Sequence, residues 1–283
     1  MDTLPGFDLS PDVLPTSEWC QRWRPAGYHV WRHMSGPTIQ PHEYTVRPIA
    51  KGLAKAFVQA WHYSHSYPAD RLRFGLYRGL DLVGVAAFGI PVSRWTLPNA
   101  FPTLEPMRQS LELSRFILTD DVPANGETWF LARAFEGLRE AGVRGVVSHS
   151  DPCPRRRQDG SVLYPGHIGT IYQAANAIYA GRTRAREIQL LPDATVANER
   201  SLQKARSGER NAAIAIRQLE AHGAIFEGDV DAALAQAGAE TMWHTGQHRY
   251  LFPLDRGAKV GYGLQRRGGR ANPAAYPKAT DAA

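Results

Sequence analysis

One stretch constrains the fold of this chain more than any other. Residues 111–148 read as a strand, a helix and a second strand. The run from Leu111 to Leu118 is rich in apolar and β-prone residues. Residues 127–141 place Phe130, Leu131, Ala134, Phe135 and Leu138 on one helical face, with Gly142 as the stop. Residues 143–148 form a short apolar run suited to a buried strand. A strand-helix-strand unit of this kind crosses over with the right hand, so its two strands lie side by side and parallel. The chain therefore needs a sheet with helices packed on it.

The flanking sequence supplies more of that sheet. Residues 44–49 read as a strand, and 50–63 as a helix on the spacing of Leu53, Phe57 and Trp61. Residues 71–77 and 82–88 read as two strands joined at Arg78-Gly79-Leu80-Asp81. A loop with four prolines occupies 90–110. Further on, 167–179 reads as a helix, 211–222 as a helix ended by Gly223, and 249–252 as a last strand. The expected organisation has four parts. They are an irregular extension over 1–43, which carries Trp19, Trp23 and Trp31, a core over 44–192, a basic helical segment with the last strand over 193–255, and a flexible basic tail over 256–283.

Composition narrows the function classes. The formal net charge is +6, and two cysteines, Cys20 and Cys153, provide neither a disulfide framework nor a paired-cysteine metal knuckle. No apolar run is long enough to span a membrane, and the first residues lack a basic start followed by an apolar stretch. A cytoplasmic protein with no membrane partner is expected. Basic residues gather at Arg155, Arg156 and Arg157, and again at Arg184, Arg186, Lys204, Arg206 and Arg210. Such residues bind phosphates, so DNA is the expected partner. A solvated helix face has the same composition. A dimer is compatible with this reading.

Four short motifs stand in order along the core. They are His62-Tyr63-Ser64, Leu113-Ser114-Arg115, Ser148-His149-Ser150-Asp151, and Gly166-His167-Ile168-Gly169-Thr170-Ile171-Tyr172-Gln173-Ala174. In order and approximate spacing they resemble the Mom family of phage DNA-modification proteins, within the GNAT acyltransferase superfamily. The resemblance implies an α+β fold with a GNAT-like mixed central sheet flanked by helices, to which this chain adds an N-terminal extension and basic C-terminal segments. It implies a transferase that converts adenine in the DNA of a bacterial host cell to a carbamoylmethyl derivative, which shields that DNA from restriction. Acyl-CoA, such as acetyl-CoA, is the donor that the fold implies. It would lie where two central strands splay apart, its pyrophosphate on the amides before the helix at 127, near Asn125, Gly126 and Thr128. The usual glycine-rich signature is missing there, and Asp120 and Asp121 would repel a pyrophosphate.

The residues suggest roles beside the resemblance. Adenine's exocyclic amine is a poor nucleophile, and an enzyme acting on it needs a proton acceptor and tight alignment. Asp151, just past a strand, suits that task; the alternative is a turn-capping Asp before Pro152. The resemblance implies that Tyr172 protonates a leaving group; its apolar neighbours also allow a core aromatic. Arg115, mid-strand in an apolar run, must be paired, with Asp151, Glu112 or a phosphate as partner. Tyr63 would stack on a base or hold it by its hydroxyl. His62, His65, His149 and His167 are candidate ligands for iron or another metal. Trp95 and Phe101 are candidates to hold a base flipped from the duplex. Two other readings remain open. One is a transferase acting on another amine. The other is a DNA-binding protein without catalysis, with a helix-turn-helix over 198–223.

Overall fold

Residues 110–150 fold as the sequence demands, and the rest of the first of two units is arranged around them. The computed structural model describes residues 19–23, 29–33, 36–62, 64, 66–160, 162–164, 166–209, 212–262, 264–267, 270–273 and 275–278. For 19–23, 29–33, 162, 264–267 and 270–273 the description covers the backbone. The chain divides into one unit of Met1–Pro152, Gly166–Thr183 and Gln247–Ala283 and another of Cys153–Pro165 and Arg184–Gly246.

In the first unit, β1 (Trp19–Trp23) and β2 (His29–His33) pair as an antiparallel ribbon. The segment expected to be irregular thus contains regular structure. The side chains of Trp19, Trp23 and Trp31 lie outside the described residues. Next come β3 (Tyr44–Pro48), α1 (Lys51–Trp61), β4 (Asp70–Arg78), β5 (Asp81–Gly89) and the short α2 (Thr96–Ala100). They are followed by β6 (Ser110–Leu118), α3 (Gly126–Glu140) and β7 (Gly145–Ser150). The labels β8 and β9 belong to the second unit. The first resumes with α4 (Thr170–Ala174) and β10 (Ile178–Arg182), and ends with β13 (His248–Pro253), β14 (Leu264–Arg267) and β15 (Arg270–Pro273).

Seven described strands form one sheet in the order β10-β13-β7-β6-β5-β4-β3. Only β6 and β7 pair in parallel; the other neighbours are antiparallel. This is the mixed α+β sheet expected from the sequence. The last strand, β13, lies inside the sheet between β7 and β10.

Successive residues of a strand face opposite sides of the sheet, and two cores result. Phe88, Leu111, Leu113 and Val146 pack with Phe130, Ala134, Phe135 and Leu138 of α3 on one side. Val147 and Leu251 pack with Leu97, Ala100, Phe101 and Leu104 on the other. On α1 the buried stripe is Ala54, Phe57 and Val58, whereas Leu53 is exposed. The helix is rotated so that its small residue, Ala54, meets the sheet.

The expected helix over 167–179 is the main correction. Only Thr170–Ala174 is helical, and Ile178–Arg182 is strand β10. Left-handed backbone at Gly169 (φ 76°) and Asn176 (φ 59°) stops the helix at both ends. Ile178 and Tyr179 are then free to pair with Leu251 and Tyr250. The tail is a second correction. β14 and β15 pair, Tyr276 Oη donates to the carbonyl of Ala177 at 2.6 Å, and Gln173 reaches the carbonyl of Pro277 at 3.4 Å.

The second unit holds β8 (Arg155–Arg156), β9 (Val162–Tyr164), β11 (Arg186–Leu190), α5 (Glu199–Arg206), α6 (Ala213–Glu220), α7 (Val230–Gln236) and β12 (Glu240–His244). β11 pairs antiparallel with β12. Leu202, Ala215, Leu219, Val230, Ala233 and Leu234 make its core. The helix starts are capped by side chains. Asn198 accepts from the Ser201 N–H at 2.9 Å, and Asp229 accepts from Asp231 and Ala232 at 2.9 and 3.1 Å. Buried Ser201 ties α5 to α6, donating to the Ala212 carbonyl and accepting from the Ala215 N–H.

Gly89 shows how closely the first unit is built. A Cβ there would lie 2.1 Å from the carbonyl oxygen of Ala69, a backbone atom with no rotamer to escape into. Gly89→Ala is expected to destabilise the protein by about 1–3 kcal/mol, seen as a lower urea midpoint. An unchanged midpoint would mean that β4 and β5 part easily at this end.

Candidate active site at the fork of the central sheet

β6 and β7 run together for only part of their length. Their register pairs Ser110, Leu111, Glu112 and Leu113 with Gly145, Val146, Val147 and Ser148, and ends there. Beyond it β6 continues to Leu118 while β7 continues through His149 to Ser150. On its other side β6 carries a bulge. Ala87 pairs with Arg115 and Phe88 with Leu113, so Ser114 is one residue in excess. A bulge bends its strand and adds twist. Here it falls at the residue where the parallel ladder stops, and the two strands fork.

Side chains span the fork where backbone bonds do not. His149 Nδ1 lies 2.8 Å from Glu112 Oε1, with both side chains largely buried. Arg115 turns to the loop after α1. Its Nε and Nη2 donate to the carbonyl and hydroxyl of Ser66 at 2.9 and 2.6 Å, and its Nη1 to the carbonyl of Ser114 at 2.6 Å. Ser66 Oγ donates to Ser64 Oγ at 3.2 Å, and the N–H of Ser64 donates to His62 Nδ1 at 3.1 Å. Three of the four sequence motifs therefore meet at the fork. Tyr63 and His65 lie outside the described residues.

Asp151 closes β7. It is buried, and its carbonyl accepts from the His167 N–H at 2.8 Å, which brings the fourth motif to the same strand end. Gly169, with positive φ, approaches closely; a Cβ there would stand 3.0 Å from Ser150 Oγ and 2.6 Å from the Tyr250 ring. Tyr172 is buried with its ring 5.4 Å from Tyr250 and 6.2 Å from Phe252. Tyr250 donates to the carbonyl of Ile168 and accepts from Gln173 at 3.1 Å. Burial raises the Tyr250 phenol above its ordinary pKa, so it stays protonated.

The loop before α3 is the expected pyrophosphate cradle, and three of its amides are bonded within the chain. Those of Val122, Ala124 and Gly126 donate to the carbonyls of Thr119, Pro37 and Pro123. The Ile39 N–H returns a bond to the Ala124 carbonyl, so the segment before β3 lies along the loop as an extra strand would. Asp121 bonds Arg78 at 2.6 Å and accepts from Thr119. Thr128 Oγ1 donates to the carbonyl of Asn125, whose φ is 63°. These bonds take three of the loop's amides and set the Asp121 carboxylate beside them.

Among the described residues, no group of three potential metal ligands includes His62, His149 or His167. His62 and His167 instead accept local backbone N–H groups through Nδ1, and His149 meets Glu112.

The basic candidates are spread through the second unit. Arg155 stacks over Tyr164 at 4.8 Å, and Arg156 reaches the Gly160 carbonyl at 3.4 Å. Arg157 and Lys204 are half-buried, and Arg184 is exposed. Arg186 pairs with Glu199 and Arg206 with Asp231. Arg210 lies outside the described residues. That unit contains ten Lys and Arg and ten Asp and Glu, so its formal charge is zero and the +6 belongs to the first unit. Trp95 is exposed with Arg94 stacked on its ring, whereas Phe101 is fully buried in the core and cannot hold a base.

Sequence reasoning missed His248 and Tyr179, and it considered Glu112 only as a partner for Arg115, whereas Glu112 meets His149. His248 Nδ1 lies 2.8 Å from Tyr179 Oη, and His248 is paired in register with Ser150. The signal was the period-two run His248-Arg249-Tyr250-Leu251-Phe252, whose even positions share one face.

A mixed sheet whose single parallel pair ends beside a buried carboxylate, an imidazole and a clamped guanidinium defines a protein of the α+β class. No helix among the described residues is long and apolar enough to cross a membrane. The chain belongs to the Mom protein family, whose model matches residues 43–278. It is 30% identical over 146 residues to the methylcarbamoylase Mom of Escherichia phage Mu, covering 49% of this chain and 54% of that protein. The match thus spans about half the length of that relative. Among solved structures it is similar to yncA, described as a putative acetyltransferase from Salmonella typhimurium with its cofactor acetyl-CoA. There the TM-score is 0.36 and the identity 11%, over 77% of this chain and 98% of that one. An acetyltransferase from Bacillus subtilis in complex with CoA is similar at a TM-score of 0.33 and 8% identity, over 74% and 98%.

Arg115 is the side chain that ties the loop after α1 to β6. A lysine retains the charge but cannot reach three acceptors with one fork. Arg115→Lys is expected to loosen residues 62–69 by about 1–3 kcal/mol, read as faster amide hydrogen exchange in that peptide. Unchanged exchange would show that the clamp does not hold the loop.

Proposed function

We propose that this chain is a DNA-modifying transferase that places a carbamoylmethyl-type group on the exocyclic amine of adenine and so protects the DNA from restriction enzymes. The observation that carries the reading is that the family match over residues 43–278 takes in the whole fork and the four motifs around it. The relative in phage Mu, named a methylcarbamoylase, supports the same group. A base within a duplex cannot enter a cleft between strands, so the target adenine is flipped out.

At the fork, Asp151 receives the proton that the amine loses as the new nitrogen–carbon bond forms and the bond to the leaving group breaks. In support, Asp151 stands just beyond the last residue of β7, and its backbone carbonyl is bonded by His167. Tyr172, held by Tyr250 and Phe252, is the proton donor to the leaving group. Arg115 and the serines it clamps shape the wall on the β6 side. Contacts to DNA phosphates come from cations such as Arg155, Arg156, Arg157 and Arg184, and exposed Trp95 meets a base. An acyl-CoA anchored by its diphosphate at the start of α3 is not part of this reading, because three of the loop's amides are already bonded and Asp121 stands beside them.

Nucleosides from the DNA of cells expressing the protein are expected to include a heavier adenine derivative by mass spectrometry. Asp151→Asn, nearly isosteric, is expected to keep the melting temperature and lower modification by about a hundred- to ten-thousand-fold. Unaltered adenine beside a modified cytosine or thymine would overturn the substrate, and full activity in Asp151→Asn would remove that residue from the chemistry. Calorimetric titration of the purified chain with acetyl-CoA is expected to give no saturable heat. Tight binding would restore the donor that the loop argues against.

A further inference from the structure

Arg249 of β13 is half-buried, and its register partner is His149, the first residue of β7 beyond the parallel ladder. Paired residues share a face of the sheet, so both side chains stand on one face at the level of the fork. Leu251, two residues on, packs with Leu97 and Phe101, which makes this the face that carries α2. The Arg249 guanidinium lies over the Tyr262 ring, 4.1 Å from its centroid, and donates one long bond, of 3.5 Å, to the Ala180 carbonyl. The ring beneath it is held in turn. The N–H of Gly261 donates to the Ala100 carbonyl at 2.9 Å, and a Cβ on Gly261 would stand 2.1 Å from the carbonyl oxygen of Asn99. Among the described residues no carboxylate pairs with Arg249. Glu112, on the far side of β7, bonds His149 instead. Half-buried Arg73 has the usual arrangement, with Asp70 at 3.0 Å. Burial pushes the pKa of Arg249 down from its ordinary value.

A half-buried charge costs free energy unless something compensates it. A ring face and one long bond engage only part of a guanidinium, which has five N–H donors. Stacking fixes the guanidinium plane and leaves its edge to an oxyanion with two oxygens side by side. We propose that Arg249, laid on Tyr262, binds a backbone phosphate of the DNA strand that carries the target adenine. This rests on the reading of the chain as an adenine-modifying enzyme. Two observations favour a phosphodiester of DNA as the oxyanion. The first unit carries the whole formal excess of +6, which attracts a polyanion. The face of the sheet that bears Arg249 also bears α2, and α2 starts directly after exposed Trp95 with Arg94 on its ring. A cation for a phosphate and an aromatic surface for a base thus belong to the same side of the sheet. Bound phosphate supplies the counter-charge that the chain does not. Arg249 is the phosphate-contacting residue, and Tyr262 is a positioning residue.

The test uses the full chain and an adenine-containing duplex, with affinity measured over a range of salt concentrations. Arg249→Gln is expected to bind several-fold more weakly, with a salt dependence shallower by about 0.9 in log–log slope, the signature of one lost phosphate contact. Its melting temperature should equal or exceed that of the wild type, because a cation without a counter-charge has been removed. Arg249→Lys, which keeps the charge, should keep the slope. Tyr262→Leu should also weaken binding, and adding Arg249→Gln to it should cost less than in the wild-type background, since the platform acts only through the guanidinium. Wild-type affinity and slope in Arg249→Gln would overturn the proposal. So would a lower melting temperature with an unchanged slope, since Arg249 would then be packing alone. Additive losses would overturn the part given to Tyr262. Calorimetric titration with inorganic phosphate separates the sources of the oxyanion. Saturable heat that Arg249→Gln abolishes, beside an unchanged DNA slope, would assign the site to a free anion and overturn the DNA assignment. A wild-type protein that modifies adenine, beside an Arg249→Gln protein that binds DNA equally well, would sink this inference and leave the function standing. A wild-type protein that neither binds nor modifies DNA would sink the function itself.

Discussion

A single surplus residue in β6 is the constraint from which the site follows. With Ser114 bulged, the strand bends where its parallel partnership with β7 ends. Backbone groups beyond that point lose their ladder, and polar side chains occupy the gap. Arg115 takes the Ser114 carbonyl, and His149 joins Glu112 across the fork. The same bend gives Arg115 access to the loop after α1, so that the bulge, the clamp and the end of β7 are consequences of one irregularity. The two helices nearest by, α3 and α4, lie over the face where the strands are still joined or have just parted.

The loop before α3 shows the opposite tendency, toward closure. In an anion-binding helix start, backbone N–H groups converge on a ligand. Here the chain supplies its own carbonyls from Pro37, Thr119 and Pro123, and a carboxylate besides. The segment before β3 acts as an internal substitute for an anion. Charge distribution follows a related logic. The second unit, which the run of arginines made look basic, is neutral once the acids of α7 and its flanks are counted. Its cations are interspersed with acids and not in net excess, which suits contacts made one phosphate at a time more than long-range attraction.

Much of this was legible in the sequence, for physical reasons. The crossover over 111–148 could be read because its strand and helix periods are both strong, and parallel pairing followed from handedness alone. The four motifs marked the fork through their resemblance, in order and approximate spacing, to those of the Mom family. The helix over 167–179 was misread because Ile171, Ala175 and Ile178 keep helical spacing, while the break lies in left-handed backbone at Asn176, a residue that gives only a weak local sign of it. The bulge left no sign in composition, since a surplus residue is defined only against a partner strand. His248 and Tyr179 escaped, and Glu112 was considered for a different partner, for the same reason: each matters through a neighbour more than thirty residues away in the chain.

The position of β13 has a bearing on how this protein is made. It lies between β7 and β10, although both are synthesised long before it. Until the ribosome has delivered Pro253, β7 presents an open edge, and β10 has no place to dock. The sheet is therefore finished late, by a strand that must enter a slot rather than extend a margin. Contacts this distant in sequence slow folding and lengthen the life of the open edge. The second unit, largely complete within Arg184–Gly246, has time to fold in that interval. The nascent chain thus carries one finished body and one sheet still waiting for the strand next to its edge.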